Sequence, residues 1–302
     1  MAAAADRVTV DCRRMCRLFA LHAGERDVAA EFWLLDAPDS IARQSEVNAD
    51  GYGLAALTAE HGMILIRNPV EAAGDPAYHH LARRLVASEM LVHLRYANTG
   101  TTSLVNTHPF SQDGRVFAHN GVVGDLERIE ARLGSNRAMV MGDTDSERLF
   151  AVITLAIREA GGNVRAGIGA AIREIVVDYE LYSLNFLLGE IGHIWAFRYP
   201  EHNPLHFLRR RPGGPSGGAQ LDQADSAGTL RLHSDDGGET ALVVIASERI
   251  SEEAGWEEVD SGELIHVGPE LEVDRELIVS GPPAHPMVLS SQAERSQAYD
   301  RP

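Results

Sequence analysis

One cysteine stands directly after a methionine, in the dipeptide Met15-Cys16. If Met15 is the translation start and is removed, Cys16 carries a free α-amine beside its own thiol. An α-amine has a pKa of about 7.7–8.0, so near pH 7 part of it is neutral and can accept the thiol proton. Cys16 is therefore a candidate nucleophile that brings its own base. The alternative interpretation is a small apolar side chain of the core.

The dipeptide Asn120-Gly121 could stabilise negative charge on a reacting oxygen. An asparagine side-chain amide and a glycine backbone N–H at adjacent positions can point at one oxygen, as an oxyanion hole requires. Each donor of this kind contributes about 10²–10³ in rate. The same dipeptide is a strong signal for a hairpin turn, so both interpretations stay open.

Two charged residues could bind groups of opposite charge on a substrate. Arg95 follows an apolar run, and its planar fork suits a carboxylate. Asp145 lies in the capping-box pattern 144–147 and could hold an ammonium group. The alternatives are an ion pair at a strand edge for Arg95 and a favourable helix-dipole position for Asp145. His108, in a nearby polar cluster, is more typical of a hydrogen-bonded structural histidine than of a base.

The composition excludes several classes of protein. A chain of 302 residues with 44% hydrophobic content can bury a large core, as one big domain or two small ones. A net charge of −17 argues against a general nucleic-acid binder. Two cysteines, Cys12 and Cys16, form neither a secreted disulfide framework nor a convincing zinc site. No apolar stretch reaches the roughly 20 residues of a membrane span. We expect a soluble, cytoplasmic protein without nucleic-acid, membrane or metal partners.

Hydrophobic patterning predicts strands and helices in clusters that do not alternate strictly, which favours an α+β layered architecture. The predicted strands are 17–22, 52–57, 63–67, 91–96, 116–119, 184–188, 193–197, 241–246 and 264–267. The predicted helices are 28–35, 78–86, one that begins at the 144–147 capping box, and 164–177.

The chain divides into three predicted parts. Residues 1–15 form a leader that is absent from the mature protein or disordered, and if still attached we expect it over or beside the pocket. Residues 16–268 form one domain, interrupted by a flexible loop at about 211–238 that is rich in Gly, Pro, Ser and Asp. Residues 269–302 form a tail that wraps loosely or frays.

Six motifs occur in an order that resembles class II glutamine amidotransferases. They are Met15-Cys16-Arg17-Leu18-Phe19, Asp50-Gly51-Tyr52-Gly53, His93-x-Arg95, Asn106-Thr107-His108-Pro109-Phe110, His119-Asn120-Gly121 and Thr144-Asp145-Ser146-Glu147. The likeness covers residues 16 to about 267 and is closest to the stand-alone branch, which includes γ-glutamyl hydrolases of ergothioneine synthesis and glutathione breakdown. It implies an N-terminal-nucleophile (Ntn) hydrolase with an αββα four-layer sandwich and no cofactor.

The resemblance also implies roles for individual residues. Cys16 would be nucleophile and, through its α-amine, base, while Asn120 and Gly121 would form the oxyanion hole. Arg95 would bind the substrate α-carboxylate and Asp145 its α-ammonium. Two further substrate contacts would come from Asn98 and His108. The chain departs from the synthase members at 96–99, where Tyr-Ala-Asn-Thr replaces their Trp-Ala-Thr-His.

The activity implied is hydrolysis of the γ-amide of glutamine or of a γ-glutamyl conjugate through a γ-glutamyl thioester. With glutamine as substrate, the ammonia would pass to a separate synthase subunit. A catalytically silent module of the same fold is the alternative if Cys16 is not freed. A Cys–His hydrolase with His93, His108 or His119 as base is a third possibility. The simplest expectation is that Met15 is the start.

Overall fold

The computed structural model describes residues 16–96, 101–211, 221–224, 231–234, 240–251 and 253–289. The predicted leader 1–15, Asn98 and most of the predicted loop 211–238 lie outside this range. Among the described helices, none is both long and apolar enough to cross a membrane.

The strands are numbered in chain order. They are β1 (Arg17–His22), β2 (Val28–Ala29), β3 (Tyr52–Thr58), β4 (Gly62–Asn68), β5 (Val86–Ala87), β6 (Glu89–Leu94), β7 (Phe110–Gln112), β8 (Arg115–Val123), β9 (Glu180–Glu190), β10 (His193–Arg198), β11 (His206–Arg210), β12 (Leu221–Ala224), β13 (Arg231–Ser234), β14 (Leu242–Ala246), β15 (Trp256–Glu258), β16 (Glu263–Val267), β17 (Val273–Leu277) and β18 (His285–Pro286).

The α-helices are fewer, and the longest two follow β8 in the chain. They are α1 (Ile41–Ser45), α2 (Pro76–Ala82), α3 (Leu126–Leu133), α4 (Asp145–Glu159) and α5 (Val164–Asp178). One π-helical turn spans Phe32–Asp36, and 3₁₀ turns span Leu104–Asn106 and Gly134–Met139.

Two large sheets organise the described chain. The first has the strand order β15-β11-β14-β1-β6-β3-β4, and the second has the order β17-β16-β10-β9-β8-β7, with β18 beside β9. Neighbouring strands are antiparallel, apart from the β18–β9 pair. The first strand of the domain, β1, therefore lies in the middle of its sheet.

Three apolar clusters show how the layers stack. One fills the space between the sheets and draws on both, with Leu18 and Leu91 from the first and Leu187 from the second. A second cluster lies between the first sheet and the helical segments at 32–45 and 76–82. A third lies between the second sheet and α3, α4 and α5. The four-layer αββα sandwich predicted from the sequence is confirmed.

Strand alternation decides which side chains face between the sheets. In β1, Leu18 and Ala20 belong to the inter-sheet cluster, whereas Phe19 and Leu21 face the helical layer. Because successive side chains of a strand point to opposite faces, Cys16 shares the inter-sheet face with Leu18. The same alternation in β8 places Asn120 between the sheets, in line with Ala118.

Most predicted strands are confirmed, and the differences have local causes. The predicted helix 28–35 is wrong, because β2 and the π-helical turn occupy it. Three consecutive side chains, Phe32, Trp33 and Leu34, are all buried in the core, which the one-sided apolar stripe of an amphipathic helix does not allow. The predicted helix 78–86 ends at Ala82 because Val86 pairs with Ala29.

Two segments that the sequence predicts as irregular carry strands. Within the predicted loop 211–238, β12 and β13 pair with each other. Beyond Pro269, where a loosely wrapped tail is predicted, β17 pairs along the free edge of β16. The Arg275–Glu263 ion pair, at 2.6 Å, accompanies this pairing. The edge contact is long-range in sequence, so local composition does not reveal it.

The sheets approach each other closely at Gly189, which lies in β9. A Cβ atom on this residue would be 2.8 Å from Leu91 Cδ1 and 3.3 Å from Leu57 Cδ1 of the first sheet. We expect Gly189→Ala to lower the free energy of unfolding by about 1–3 kcal/mol, because an added methyl overpacks the inter-sheet core. Denaturant unfolding measures the change.

The matched control is Gly74→Ala, where the new Cβ would meet nothing closer than 3.8 Å. Its stability should stay within about 1 kcal/mol of the wild type. In a Leu91→Ala background, which opens space beside Gly189, the cost of Gly189→Ala should shrink. An equal cost in both backgrounds would contradict the proposed packing.

Candidate active site

Cys16 directly precedes β1, and it lines a cleft at one edge of the sandwich. The pairing of Arg17 with Leu94 in β6 sets Cys16 opposite the chain that follows Leu94. Its Sγ accepts a hydrogen bond from the Tyr96 N–H at 3.3 Å and lies 3.5 Å from the Tyr96 carbonyl oxygen, to which the thiol donates. The residue is 9% exposed, so the thiol is covered but lines a cleft.

The environment of the thiol opposes its ionisation. Burial raises the pKa of the Cys16 thiol above its ordinary value, because a thiolate is poorly solvated there. The Tyr96 N–H and the positive charges of Arg95 and Arg17 lower the pKa and offset part of this effect. Within the described residues, the hydrogen bonds of Sγ go to the backbone of Tyr96. The thiol therefore needs a base to become a nucleophile near neutral pH.

Arg95 continues from β6 along the same edge. Its backbone N–H donates to Gly51 O at 2.7 Å, and its carbonyl accepts from Asp50 N at 3.2 Å, which anchors the residue against the start of β3. The guanidinium Nη1 donates to Thr101 O at 3.2 Å. Burial lowers the pKa of Arg95, and the negative charges of Asp50 and Asp145 act in the opposite direction. The side chain remains a cation that faces two carboxylates.

Asn120 and Gly121 lie inside β8, so the hairpin-turn interpretation is excluded. Asn120 is opposite Asn185 and Gly121 opposite Leu184 in β9. The Asn120 side chain crosses between the sheets, where Nδ2 donates to the Cys16 carbonyl at 2.9 Å. Gly121 faces the other way and lines the cleft. A Cβ on Gly121 would overlap Ser183 O and crowd the His119 ring, so the position requires glycine.

Asp145 is held at the first turn of α4. Thr144 caps the helix by accepting a hydrogen bond from Glu147 N at 3.2 Å, as the capping-box pattern predicts. Asp145 Oδ2 accepts from Val123 N at 2.9 Å, which ties α4 to the end of β8. Asp145 thus serves both interpretations of the sequence, because it occupies the helix start and also lines the cleft.

Three histidines surround the site but are poor bases. His119 Nε2 donates to Ser183 O at 3.3 Å, so its Nδ1 is left to accept from the Ser146 hydroxyl at 3.0 Å. The rings of His93 and His108 lie 4.1 Å apart. Burial lowers the pKa of all three, that of His93 to about 3. None of them hydrogen-bonds the Cys16 thiol within the described chain, so no Cys–His pair is formed there.

One cleft brings these groups together. Its lining residues are Cys16, Arg95, Tyr96, His108, His119, Gly121, Val122, Thr144, Asp145 and Ser146. Of the residues predicted from the sequence, Asn120 lies behind Cys16 rather than on the cleft wall, and Asn98 is outside the described range. The described side chains include no group of three or more His, Cys, Asp or Glu that could hold a metal ion.

Several contributors to the site were not predicted from the sequence. Tyr96 touches the thiol through its backbone, which no side-chain pattern can signal. Asp50 interacts electrostatically with Cys16 and Arg95. Asp50 lies in the motif Asp50-Gly51-Tyr52-Gly53, and this motif was the one sequence feature that pointed to it. The motif alone does not indicate what Asp50 does. Ser146 sits in the capping box and bonds His119.

The comparison with known proteins agrees with the geometry of the site. The sequence profile of the family described as glutamine amidotransferases class-II matches residues 15–274. An uncharacterized protein of Methanocaldococcus jannaschii is 27% identical over 240 residues, which are 75% of this chain and 63% of that protein. YafJ of Escherichia coli K12, provisionally described as a glutamine amidotransferase, is 26% identical over 223 residues, 71% of this chain and 83% of its own length.

A solved structure supports the fold. Glutamine phosphoribosylpyrophosphate amidotransferase of Bacillus subtilis matches 88% of this chain with a TM-score of 0.60 and 15% identity. The chain covers 50% of that enzyme, and it spans less than two thirds of the archaeal relative. Because the family match extends from residue 15 to residue 274, over most of the chain, the protein belongs to the class II glutamine amidotransferases.

Proposed function

We propose that the protein hydrolyses the γ-amide of glutamine or of a γ-glutamyl conjugate, with Cys16 as the nucleophile. The observation that carries the proposal is the cleft itself, in which a thiol, a guanidinium and a carboxylate converge. These are the groups needed to attack a side-chain amide while an amino-acid head group is held at both its charges.

The head group would be bound by opposite charges on two elements. Arg95, at the end of β6, presents a planar cation suited to the substrate α-carboxylate. Asp145, at the start of α4, presents a carboxylate suited to the α-ammonium. Arg95 and Asp145 already interact electrostatically. A zwitterionic head group would replace this one interaction by two, one with each side chain.

Activation of the thiol is proposed to come from a free α-amine on Cys16. The raised thiol pKa calls for a base, and the surrounding histidines are desolvated and poorly placed. An α-amine near its pKa at neutral pH meets the requirement. Asn120 Oδ1 is buried and has no hydrogen-bond partner in the described chain, while the same amide already bonds the Cys16 carbonyl. A free α-amine on Cys16 has N–H groups that could donate to Asn120 Oδ1.

The reaction would proceed in two displacements. The amine takes the thiol proton and Sγ attacks the γ-carbonyl carbon, so that a C–S bond forms and the carbonyl oxygen becomes an oxyanion. The Gly121 N–H and the second N–H of Asn120 Nδ2 are the proposed donors to this oxyanion. Its collapse breaks the C–N bond, and the ammonium proton goes to the leaving nitrogen. Water then adds to the thioester with the amine as base, which releases glutamate and restores the thiol.

Two substrate classes could make these contacts. The first is free glutamine, whose ammonia would pass to a separate synthase subunit. The second is γ-glutamyl conjugates, whose amine would be the product. Ammonia release from glutamine and amine release from γ-glutamyl peptides, measured on the purified chain, separate them. Turnover of peptides without turnover of glutamine would exclude the first.

The alternative function is a catalytically silent module of this fold. It would result if the leader is not cleaved, because Cys16 then has no free α-amine.

The first prediction concerns the chain terminus. Protein whose first residue is Cys16, verified by intact mass, should release ammonia or amine from γ-glutamyl substrates. Protein that retains residues 1–15 should be about 10²–10⁴-fold less active, because an amide nitrogen cannot act as the base. Cys16→Ala with the same start should show background activity only. Equal activity with and without the leader would contradict the amine base, and an active Cys16→Ala protein would contradict the nucleophile.

The second prediction concerns head-group recognition. Asp145→Asn keeps an oxygen that can accept from Val123 N but removes the negative charge, so KM for the γ-glutamyl substrate should rise roughly 10–100-fold while stability changes little. Steady-state kinetics and thermal unfolding measure the two effects.

The matched control for this substitution is Asp125→Asn. Asp125 also accepts a backbone hydrogen bond, from Glu180 N at 3.0 Å, but it does not line the cleft. Its KM should equal that of the wild type. A similar rise in KM for both variants would show that the effect of Asp145→Asn is not head-group binding.

A further inference from the structure

The polar segment 106–110 begins with a residue that has no assigned role. Asn106, in the 3₁₀ turn Leu104–Asn106, is fully buried and does not line the cleft. Its amide nonetheless bonds two segments next to cleft residues: the loop at Thr101, whose carbonyl contacts Arg95, and the turn that precedes Asp145. Nδ2 donates to Thr101 O at 3.1 Å, and Oδ1 accepts from Asp143 N at 2.9 Å. Both functions of one amide are thus used to join two loops.

The first of these contacts leads to Arg95. Thr101 O accepts from Asn106 Nδ2 and also from Arg95 Nη1, at 3.2 Å. The carbonyl that orients the guanidinium is therefore itself held by Asn106. Without that donor, Thr101 O loses one of the two hydrogen bonds that it accepts within the described residues, and the guanidinium loses a fixed acceptor.

The second contact leads to Asp145. Asp143 lies two residues before Asp145, in the turn that enters α4. The same turn is held by Glu147, whose carboxylate accepts from Met141 N at 3.0 Å and from Gly142 N at 2.7 Å. A Cβ on Gly142 would collide with Asn106 Oδ1, so the amide is packed directly against this turn. The start of α4 is consequently placed relative to Asn106.

We infer that Asn106 is a positioning residue that sets the spacing between Arg95 and Asp145, and thereby the selectivity for substrates with both an α-carboxylate and an α-ammonium. The inference rests on the proposed function, because it concerns the same head-group site. It assigns no contact between Asn106 and the substrate. Its effect is transmitted through Thr101 O on one side and the 141–143 turn on the other.

The test compares Asn106→Asp and Asn106→Ala with wild type, each with Cys16 as first residue. N106D keeps an acceptor for Asp143 N but loses the N–H donor to Thr101 O, whereas N106A loses both contacts. We expect KM to rise by about tenfold for N106D and further for N106A, with kcat changed less than KM. Protonation of the new carboxyl supplies a donor again, so the KM of N106D relative to wild type should fall as pH decreases.

Ser45→Ala is the matched structural control. Ser45 is also fully buried, donates to one backbone carbonyl, Ala42 O at 2.6 Å, and accepts from one backbone amide, Ala73 N at 2.8 Å. Like Asn106 it ties two segments together, but neither segment lines the cleft. S45A should lower the unfolding midpoint and leave KM unchanged. If S45A raised KM as much as N106A, the effect would be general destabilisation and the inference would be wrong.

A double-mutant cycle separates positioning from other causes. In an Arg95→Ala background, N106D should change kcat/KM by less than about twofold, because the group that Thr101 O orients is gone. A full tenfold effect in that background would overturn the inference. If the wild-type chain with a free Cys16 hydrolyses no γ-glutamyl amide, the proposed function fails. An active wild type with an unchanged KM for N106D contradicts the positioning role alone.

Discussion

The hydrogen bond from Asn120 Nδ2 to the Cys16 carbonyl joins the two sheets at the point where the thiol stands. It spans the inter-sheet space, most of which is filled by apolar side chains. A buried amide in such a place is stable only with its partners in register, so the contact requires that β1 and β8 face each other in one alignment. The cleft, the placement of Arg95 and the attachment of α4 all follow from that alignment.

The strand alternation on the two sheets explains how residues far apart in sequence meet. Cys16 continues the inter-sheet face of β1, and Asn120 continues that of β8. Gly121 points to the opposite face, where α4 packs, and the absence of a side chain lets Ser183 and His119 approach. The site is therefore built where strand ends and a helix start share one edge of the sandwich, and rigid elements rather than long loops carry its charged groups.

Local sequence patterns predicted the presence of strands and helices better than the residues at which they begin and end. The pattern at 144–147 predicted the start of α4 because the hydrogen bond from Glu147 N to the Thr144 hydroxyl is formed within one turn. Asn120-Gly121 could not be assigned from the dipeptide, since the same residues suit a hairpin turn and a strand interior. Only the pairing with β9 excludes the turn. The π-helical turn at 32–36 and the edge strand β17 were missed because distant partners in the core and at a sheet edge stabilise them.

Residue type and order were enough to predict the layered α+β class and the family resemblance. They also identified Cys16, Arg95, Gly121 and Asp145 as candidate site residues. The three-dimensional structure was needed to show that these four line one cleft, that Asn120 lies behind the thiol, and that the Tyr96 backbone and the Asp50 charge act on the thiol and on Arg95. Backbone donors, shared acceptors and desolvation depend on the three-dimensional neighbours of a group, and a one-dimensional pattern does not contain them.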